Sequence, residues 1–479
     1  MARQGGIFSR TMNRLGPKAW PFADVAPPDL PLPRLLRLAL FQISVGMTLV
    51  LLVGTLNRVM IVELGVPTSL VAVMLALPLV FAPFRALIGH RSDHHRSALG
   101  WRRVPFIWKG TLLQFGGFSI MPFALLVLAG RGEAAYAPVW IGQLSAALAF
   151  LLVGAGAHVV QTAGLALATD LTPTESHPRV VGLMYTVLLI GMFVSALIFG
   201  AALADFTPGR LVQVVQGAAL AALVLNTVSI WKQEPRRPRG APLPESDPTF
   251  QESWAHFTEG AYARRLLVIV GLGTLGFGMA DVLLEPFGGQ VLGLTVAATT
   301  SLTAVFAVGG LLGFAWASRV LGDGADENRL ALQGALVGLP AFACVMLAVP
   351  LEMVWLFVAG NLLIGFGGAV FGHSTLTATM NRAPDEQAGL ALGAWGAVQA
   401  TAVGIAMAAS GIIRDVVTAA VNSLDALARL AGASTGYVAV YVLEVVLLIA
   451  TVVVTLPILR SESPAEKVRQ TTMEGVVGD

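Results

Sequence analysis

Twelve apolar runs, each near or above the roughly 20 residues that a helix needs to cross the hydrocarbon of a bilayer, recur between residues 36 and 459. They lie near 36–57, 67–89, 104–129, 138–168, 180–203, 211–231, 265–286, 295–317, 330–350, 353–379, 388–412 and 437–459. Runs of this length and number cannot all be buried inside a soluble core. Only 12% of the residues are charged, against about 25% in a soluble domain. Pro78, Pro83, Pro122 and Pro340 fall inside runs, as membrane helices tolerate. A transmembrane β-barrel needs short segments that alternate polar and apolar residues, and no run alternates in that way. The expectation is an all-α integral membrane protein with twelve transmembrane helices.

The basic residues set an orientation. With both termini placed in the cytoplasm, Arg58, Arg131, Arg210, Arg414 and Arg429 fall on the other side, and every other one of the 30 Lys and Arg is cytoplasmic. That asymmetry follows the positive-inside rule. A net charge of +2 gives no footing for a nucleic-acid partner. The single cysteine, Cys344, cannot form an internal disulfide.

The first 33 residues carry Arg3, Arg10, Arg14 and Lys18 among Phe8, Met12, Leu15 and Trp20. This is not the layout of a secretory signal. It suits either a segment lying on an anionic membrane surface or an unstructured tail. The longest internal polar stretch joins the sixth and seventh runs and changes from a Pro/Arg linker to Thr249-Phe-Gln-Glu252, a capping-box spacing. Trp254, Phe257 and Ala261 follow at helical intervals, so a short amphipathic helix is expected there. The organisation is then a cytoplasmic tail (1–33), a six-helix half (34–231), a cytoplasmic linker (232–264), a second six-helix half (265–459) and a C-terminal tail (460–479).

The halves echo one another. A shift of 211 residues aligns Gly154 with Gly365, Gly156 with Gly367, Asp170 with Asn381, Pro173 with Pro384 and Glu175 with Glu386. Duplication as six plus six, with a pathway between pseudo-symmetric halves, is the pattern of the major facilitator fold. After the second run comes Gly89-His-Arg-Ser-Asp93, then Gly100-Trp-Arg102-Arg103. It resembles the loop motif of major facilitators, with a longer spacing between Asp93 and Gly100. Such a motif implies a small residue that lets helices approach, a carboxylate that meets a helix N-terminus, and arginines that pair across the halves in one conformation. The plainer reading is a solvated loop that sets topology. His90, His94 and His95 in the same loop are read as solvated rather than as a metal site.

The stretches LPLPRLLRLALFQISVGM (30–47), LLVGTLNRVMIVELGVP (51–67), APFRALIGHRSDHHRSALGWRRVPFIWKGTLLQFGG (82–117) and ALATDLTPTESHPRVVGLMY (166–185) resemble the PucC/LhaA family, the bacteriochlorophyll-delivery branch of the major facilitators in purple phototrophs. The likeness looks closer to LhaA than to PucC. It implies an assembly factor for the core light-harvesting antenna around the photosynthetic reaction centre, which holds antenna polypeptides and hands over bacteriochlorophyll. The partners so implied are antenna polypeptides, the reaction-centre core complex, membrane lipids and pigment-synthesis proteins. The location so implied is the bacterial inner, intracytoplasmic photosynthetic membrane. A secondary transporter of a tetrapyrrole or another amphipathic solute is the alternative.

No catalytic constellation, P-loop or GxSxG is present, and the chain is not read as an enzyme. His158 and His373 lie inside the fourth and tenth runs. Each imidazole is a candidate axial ligand for a chlorin magnesium. A helical side chain leans over the turn before it, where Gly154 and Ala369 stand. The alternative is a histidine hydrogen-bonded to a neighbouring helix. Arg58, at the end of the first run, is placed to face Asp281 or Glu285, at the end of the seventh, as a non-cytoplasmic gate; the alternative is that all three snorkel to the interface. Glu444 lies well inside the twelfth run and needs a partner. The first and fourth runs offer Gln42, Ser44, Thr48, Gln143, His158, Gln161 and Thr162 to a groove, but no mid-span carboxylate.

Overall fold

The computed structural model describes residues 32–80, 101–130, 133, 136–173, 177–235, 261–381, 388–423, 432 and 434–461. They form twelve helices: α1 (Leu32–Glu63), α2 (Thr68–Val80), α3 (Val104–Leu128), α4 (Val139–Asp170), α5 (His177–Ala202), α6 (Pro208–Ile230), α7 in two segments (Ala261–Gly278 and Ala280–Gln290), α8 (Val296–Gly322), α9 (Glu327–Leu347), α10 (Val354–Asn381), α11 (Ala388–Asn422) and α12 (Thr435–Ser461). Eleven are long and apolar enough to cross a membrane, and α2 is apolar through its described part. The tails, the linker helix expected near 249–261 up to Gly260, and Gly89, Asp93 and Gly100 of the loop motif lie outside the described residues.

Local chemistry sets several helix starts. Thr207, Thr295 and Asp326 each accept a backbone N–H from three residues on (Arg210, Ala298 and Arg329), as N-caps do. Pro208 occupies the first turn of α6, where its missing N–H costs nothing. The eleventh helix continues ten residues beyond the apolar run that announced it. Arg414 and Asp415 pair at 2.8 Å, and Asp415 also takes the Ser69 N–H at 2.7 Å. Two charges that satisfy each other and a neighbour need not end the helix.

The repeated glycines explain the packing. A Cβ on Gly110 of α3 would stand 2.8 Å from the carbonyl oxygen of Gly156 of α4. In the second half a Cβ on Gly334 of α9 would stand 2.9 Å from the carbonyl oxygen of Gly367 of α10. Gly154 presses α4 on Pro78 of α2, while Gly365 presses α10 on the Phe306 carbonyl of α8. Aligned glycines therefore do the same work in each half. Hydrocarbon offers helices no hydrophobic drive to associate, so contact depends on small residues that let backbones approach. The halves meet where α2 runs along α11, α5 along α8, and α1 against the second segment of α7.

Candidate functional site

The end of the bundle at which α1 starts and α12 finishes, here the near end, is tied together by charge. Lys232 adopts a left-handed backbone, φ 52°, a conformation uncommon outside glycine, and turns the chain after α6. Glu234 then accepts the backbone N–H groups of Arg102 (2.7 Å), Arg103 (3.0 Å) and Val104 (2.9 Å). A carboxylate thus covers donors that the start of α3 leaves unpaired. Gln233 and Arg34, at the start of α1, exchange hydrogen bonds through the Arg34 Nε (3.1 Å) and the Arg34 carbonyl (3.1 Å).

The guanidinium groups of Arg102 (2.5 Å) and Arg103 (2.9 Å) converge on Asp170 at the end of α4. In this conformation both arginines of the loop motif bond to an acid of their own half. The start of α3 and the end of α4 are adjacent, and Asp170 is the acceptor within reach. In the second half Asn381, aligned with Asp170, donates to Glu327 at the start of α9 at 2.5 Å. The acid has changed helix, and the tie is kept.

The far end holds the two halves together. Asn57 donates to the Val282 carbonyl at 2.7 Å, and the Thr55 and Thr300 hydroxyls meet at 3.3 Å. Here α1 widens into π-helical turns over Val50–Leu56 and Val59–Glu63, a form often associated with functional sites. Arg58 is 3% exposed. It pairs with Glu63 and donates to the Leu294 carbonyl at 3.0 Å, lying across Gly289, where a Cβ would be 3.0 Å from its Nε.

Arg58 makes its ion pair with Glu63 rather than with Asp281 or Glu285, though Glu285 stays within its electrostatic reach. Glu63 follows on the same helix, and the widened turns bring it round to the guanidinium. Glu285 accepts instead from Thr303. Helices one and seven do approach, but neutral groups make the bonds between them. Asn57, Glu63, Gln290 and the Arg414–Asp415 pair are parts of this end that pattern alone did not single out. Gln290 accepts from Arg414 (2.7 Å) and Tyr437 (2.6 Å).

Of the two histidines, His373 has its neighbours on α8. His373 Nε2 lies 3.1 Å from the Ser318 hydroxyl of α8, and its ring is 4.4 Å from that of Phe314. Its Nε2 is thereby engaged in the contact between α8 and α10. A Cβ on Gly154 would be 2.3 Å from Pro78, so the small residue below His158 makes room for α2. His158 and Ala369 are both half-buried. A cavity of about 210 Å³ beside Glu63, lined by Val59, Leu125, Phe206 and Leu211, is below the roughly 300 Å³ at which drug-sized ligand sites begin. Among the described residues no three His, Cys, Asp or Glu side chains gather as a metal site.

Gln42, Ser44 and Thr48 are fully buried and do not line an open groove. Gln114 of α3 donates to Thr48 at 3.3 Å, and Asn226 of α6 donates to Gln114 (3.0 Å) and Thr111 (3.1 Å). Thr48 thus joins a hydrogen-bonded core inside the first half, while the buried side chains of Gln42 and Ser44 have no hydrogen-bond partner among the described residues.

Two six-helix halves, packed through equivalent glycines and hydrogen-bonded to one another at the far end, define a multi-pass membrane protein of the major facilitator fold. A solved D-xylose–proton symporter has the same fold, with a TM-score of 0.64 at 13% identity over 87% of this chain and 96% of that one. The chain belongs to the family described as PUCC protein, whose model matches residues 55–463. It is 62% identical over 417 residues to Protein PucC of Rhodovulum sulfidophilum, covering 86% of this chain and 92% of the relative. To Protein PucC of Cereibacter sphaeroides it is 56% identical over 456 residues, covering 95% and 98%.

Proposed function

We propose that this protein is a non-catalytic assembly factor for the core light-harvesting antenna, holding antenna polypeptides as they gather around the photosynthetic reaction centre. The observation that carries the reading is family membership across most of the chain. The outer faces suit a helix-holding role. On α6, Leu220, Val224, Val228 and Trp231 are exposed at helical spacing, and an antenna helix can replace lipid along such a stripe without uncovering a polar group. The placement nearer LhaA and the choice of the core antenna rest on the resemblance carried by residues 30–47, 51–67, 82–117 and 166–185. The membrane is proposed to be the intracytoplasmic photosynthetic membrane, with both termini cytoplasmic. Bacteriochlorophyll is expected with the antenna polypeptides, and neither His158 nor His373 is assigned to it.

A secondary transporter is the second reading, favoured by halves that meet through Asn57–Val282 and Ser69–Asp415 at one end, as an alternating-access scaffold requires. The deciding experiment is mild-detergent purification from the native membrane, with an absorbance spectrum, pigment extraction and identification of co-purifying chains. Bacteriochlorophyll together with antenna or reaction-centre polypeptides is the expected result. A solitary, colourless protein overturns the assembly reading in favour of transport.

A further inference from the structure

The helix ladder of α7 is interrupted at Met279, and a side chain from α12 stands in the break. Ala280 donates its backbone N–H to Glu444 Oε1 at 2.5 Å. Glu444 is fully buried, and its Oε2 has no hydrogen-bond partner among the described residues. One turn earlier on α12, the hydroxyl of Tyr441 is equally buried and also without a partner. Asp281 follows Ala280 directly and lies within electrostatic reach of Glu444. The surroundings are dry: Phe287 packs against Tyr437 and Tyr441 at 5.5 Å between ring centres, and Phe342 stacks on Tyr441 at 6.2 Å.

Among the described residues no cation neutralises this pair. Arg58 on α1 is taken by Glu63 and the Leu294 carbonyl. Arg414 on α11 is taken by Asp415 and Gln290. Glu285 on α7 accepts from Thr303, Tyr437 donates to Gln290, and Cys344 is the titratable side chain in the interior of α9. Glu444 is fully buried and Asp281 half-buried; a like charge close by disfavours ionising both at once, and one buried anion with a single donor is costly. A neutral acid at Glu444 removes both problems and offers an O–H where an oxygen otherwise stands alone.

We infer that Glu444, with Asp281 beside it, is a proton-binding site set into the break of α7. The ligand is one exchangeable proton. Its position gives it leverage, because Val282, one residue past Asp281, receives the Asn57 bond that joins the halves at the far end. Gain or loss of the proton therefore acts on the segment that closes that end, under either reading of the function.

The test is infrared spectroscopy of the full-length protein in lipid, titrated with pH, with E444Q and D281N alongside. The wild type is expected to show the carbonyl stretch of a protonated carboxylic acid at neutral pH, lost as the pH is raised. E444Q, which keeps an acceptor for Ala280, is expected to lack that band and to keep its thermal unfolding midpoint. If E444Q does not fold, D281N is read alone, and a shift in the pH at which the band disappears supports the site. A neutral-pH band that is absent from the wild type, or one unchanged by the substitutions, overturns it. Loss of the band on adding sodium at constant pH also overturns it, in favour of a metal cation.

Discussion

Gly156 of α4 lies so close to Gly110 of α3 that a Cβ at position 156 would stand 2.5 Å from the Gly110 carbonyl oxygen and 2.6 Å from the Gln114 nitrogen. Backbone atoms cannot swing aside as a flexible side chain can. Gly156→Leu is expected to destabilise by more than the usual 1–3 kcal/mol of overpacking and to cut the yield of folded protein. Gly116→Ala, in open space on α3, is expected to stay within about 0.5 kcal/mol of wild type. Thermal unfolding of both variants in detergent checks the contrast.

Glu234 supplies the acceptor for three amides at the start of α3. Removing a cap typically costs about 1 kcal/mol. Glu234→Ala is expected to raise hydrogen exchange at Arg102, Arg103 and Val104 while leaving the middle of α3 protected. Unchanged exchange at those amides would show that water or another side chain serves equally well.

Asp170 receives two guanidinium groups, from Arg102 and Arg103, and is partly exposed, which screens the pairs. A double-mutant cycle with Asp170→Asn and Arg103→Gln is expected to give a coupling energy of about 1 kcal/mol, within the range for contacting residues. Strict additivity in urea unfolding would count against the tie.

Arg58 and Glu63 form the pair at the far end. Arg58→Glu leaves two acids near one another and is expected to destabilise by about 3–5 kcal/mol, as breaking a buried pair does. Adding Glu63→Arg is expected to recover part of that loss. Adding Asp281→Arg is expected to recover none, and rescue there instead would restore the gate first expected between helices one and seven.

His373 bonds to Ser318 within the α8–α10 contact. His373→Leu is expected to cost about 1 kcal/mol and to leave the pigment content of the co-purified material unchanged. A selective loss of pigment, without loss of fold, would return the imidazole to the role of chlorin ligand.

Much of the architecture was legible along the chain. Among the described residues the apolar runs located each helix, with overruns at the ends of α1 and α8 and the largest where Arg414 and Asp415 hid the last three turns of α11. The alignment of Gly154 with Gly365 and Gly156 with Gly367 marked a duplication that the packing reproduces helix for helix. The site was less legible. The same Gly154 read as space below a histidine, because spacing on one helix does not say which neighbour fills the space. Glu444 could be recognised as needing a partner. Its partner is a backbone N–H on α7, and every residue but proline carries one.

What the sequence determined by itself is the solvent and the count of helices. A bilayer demands about 20 apolar residues per crossing, and that demand is written in one dimension. The tertiary structure alone decided the pairings: Arg58 with Glu63, Arg103 with Asp170, Glu444 with Ala280. In a medium of low dielectric a polar group bonds to what lies within about 3 Å. Which group lies there depends on how helices far apart in the chain are pressed together by their glycines.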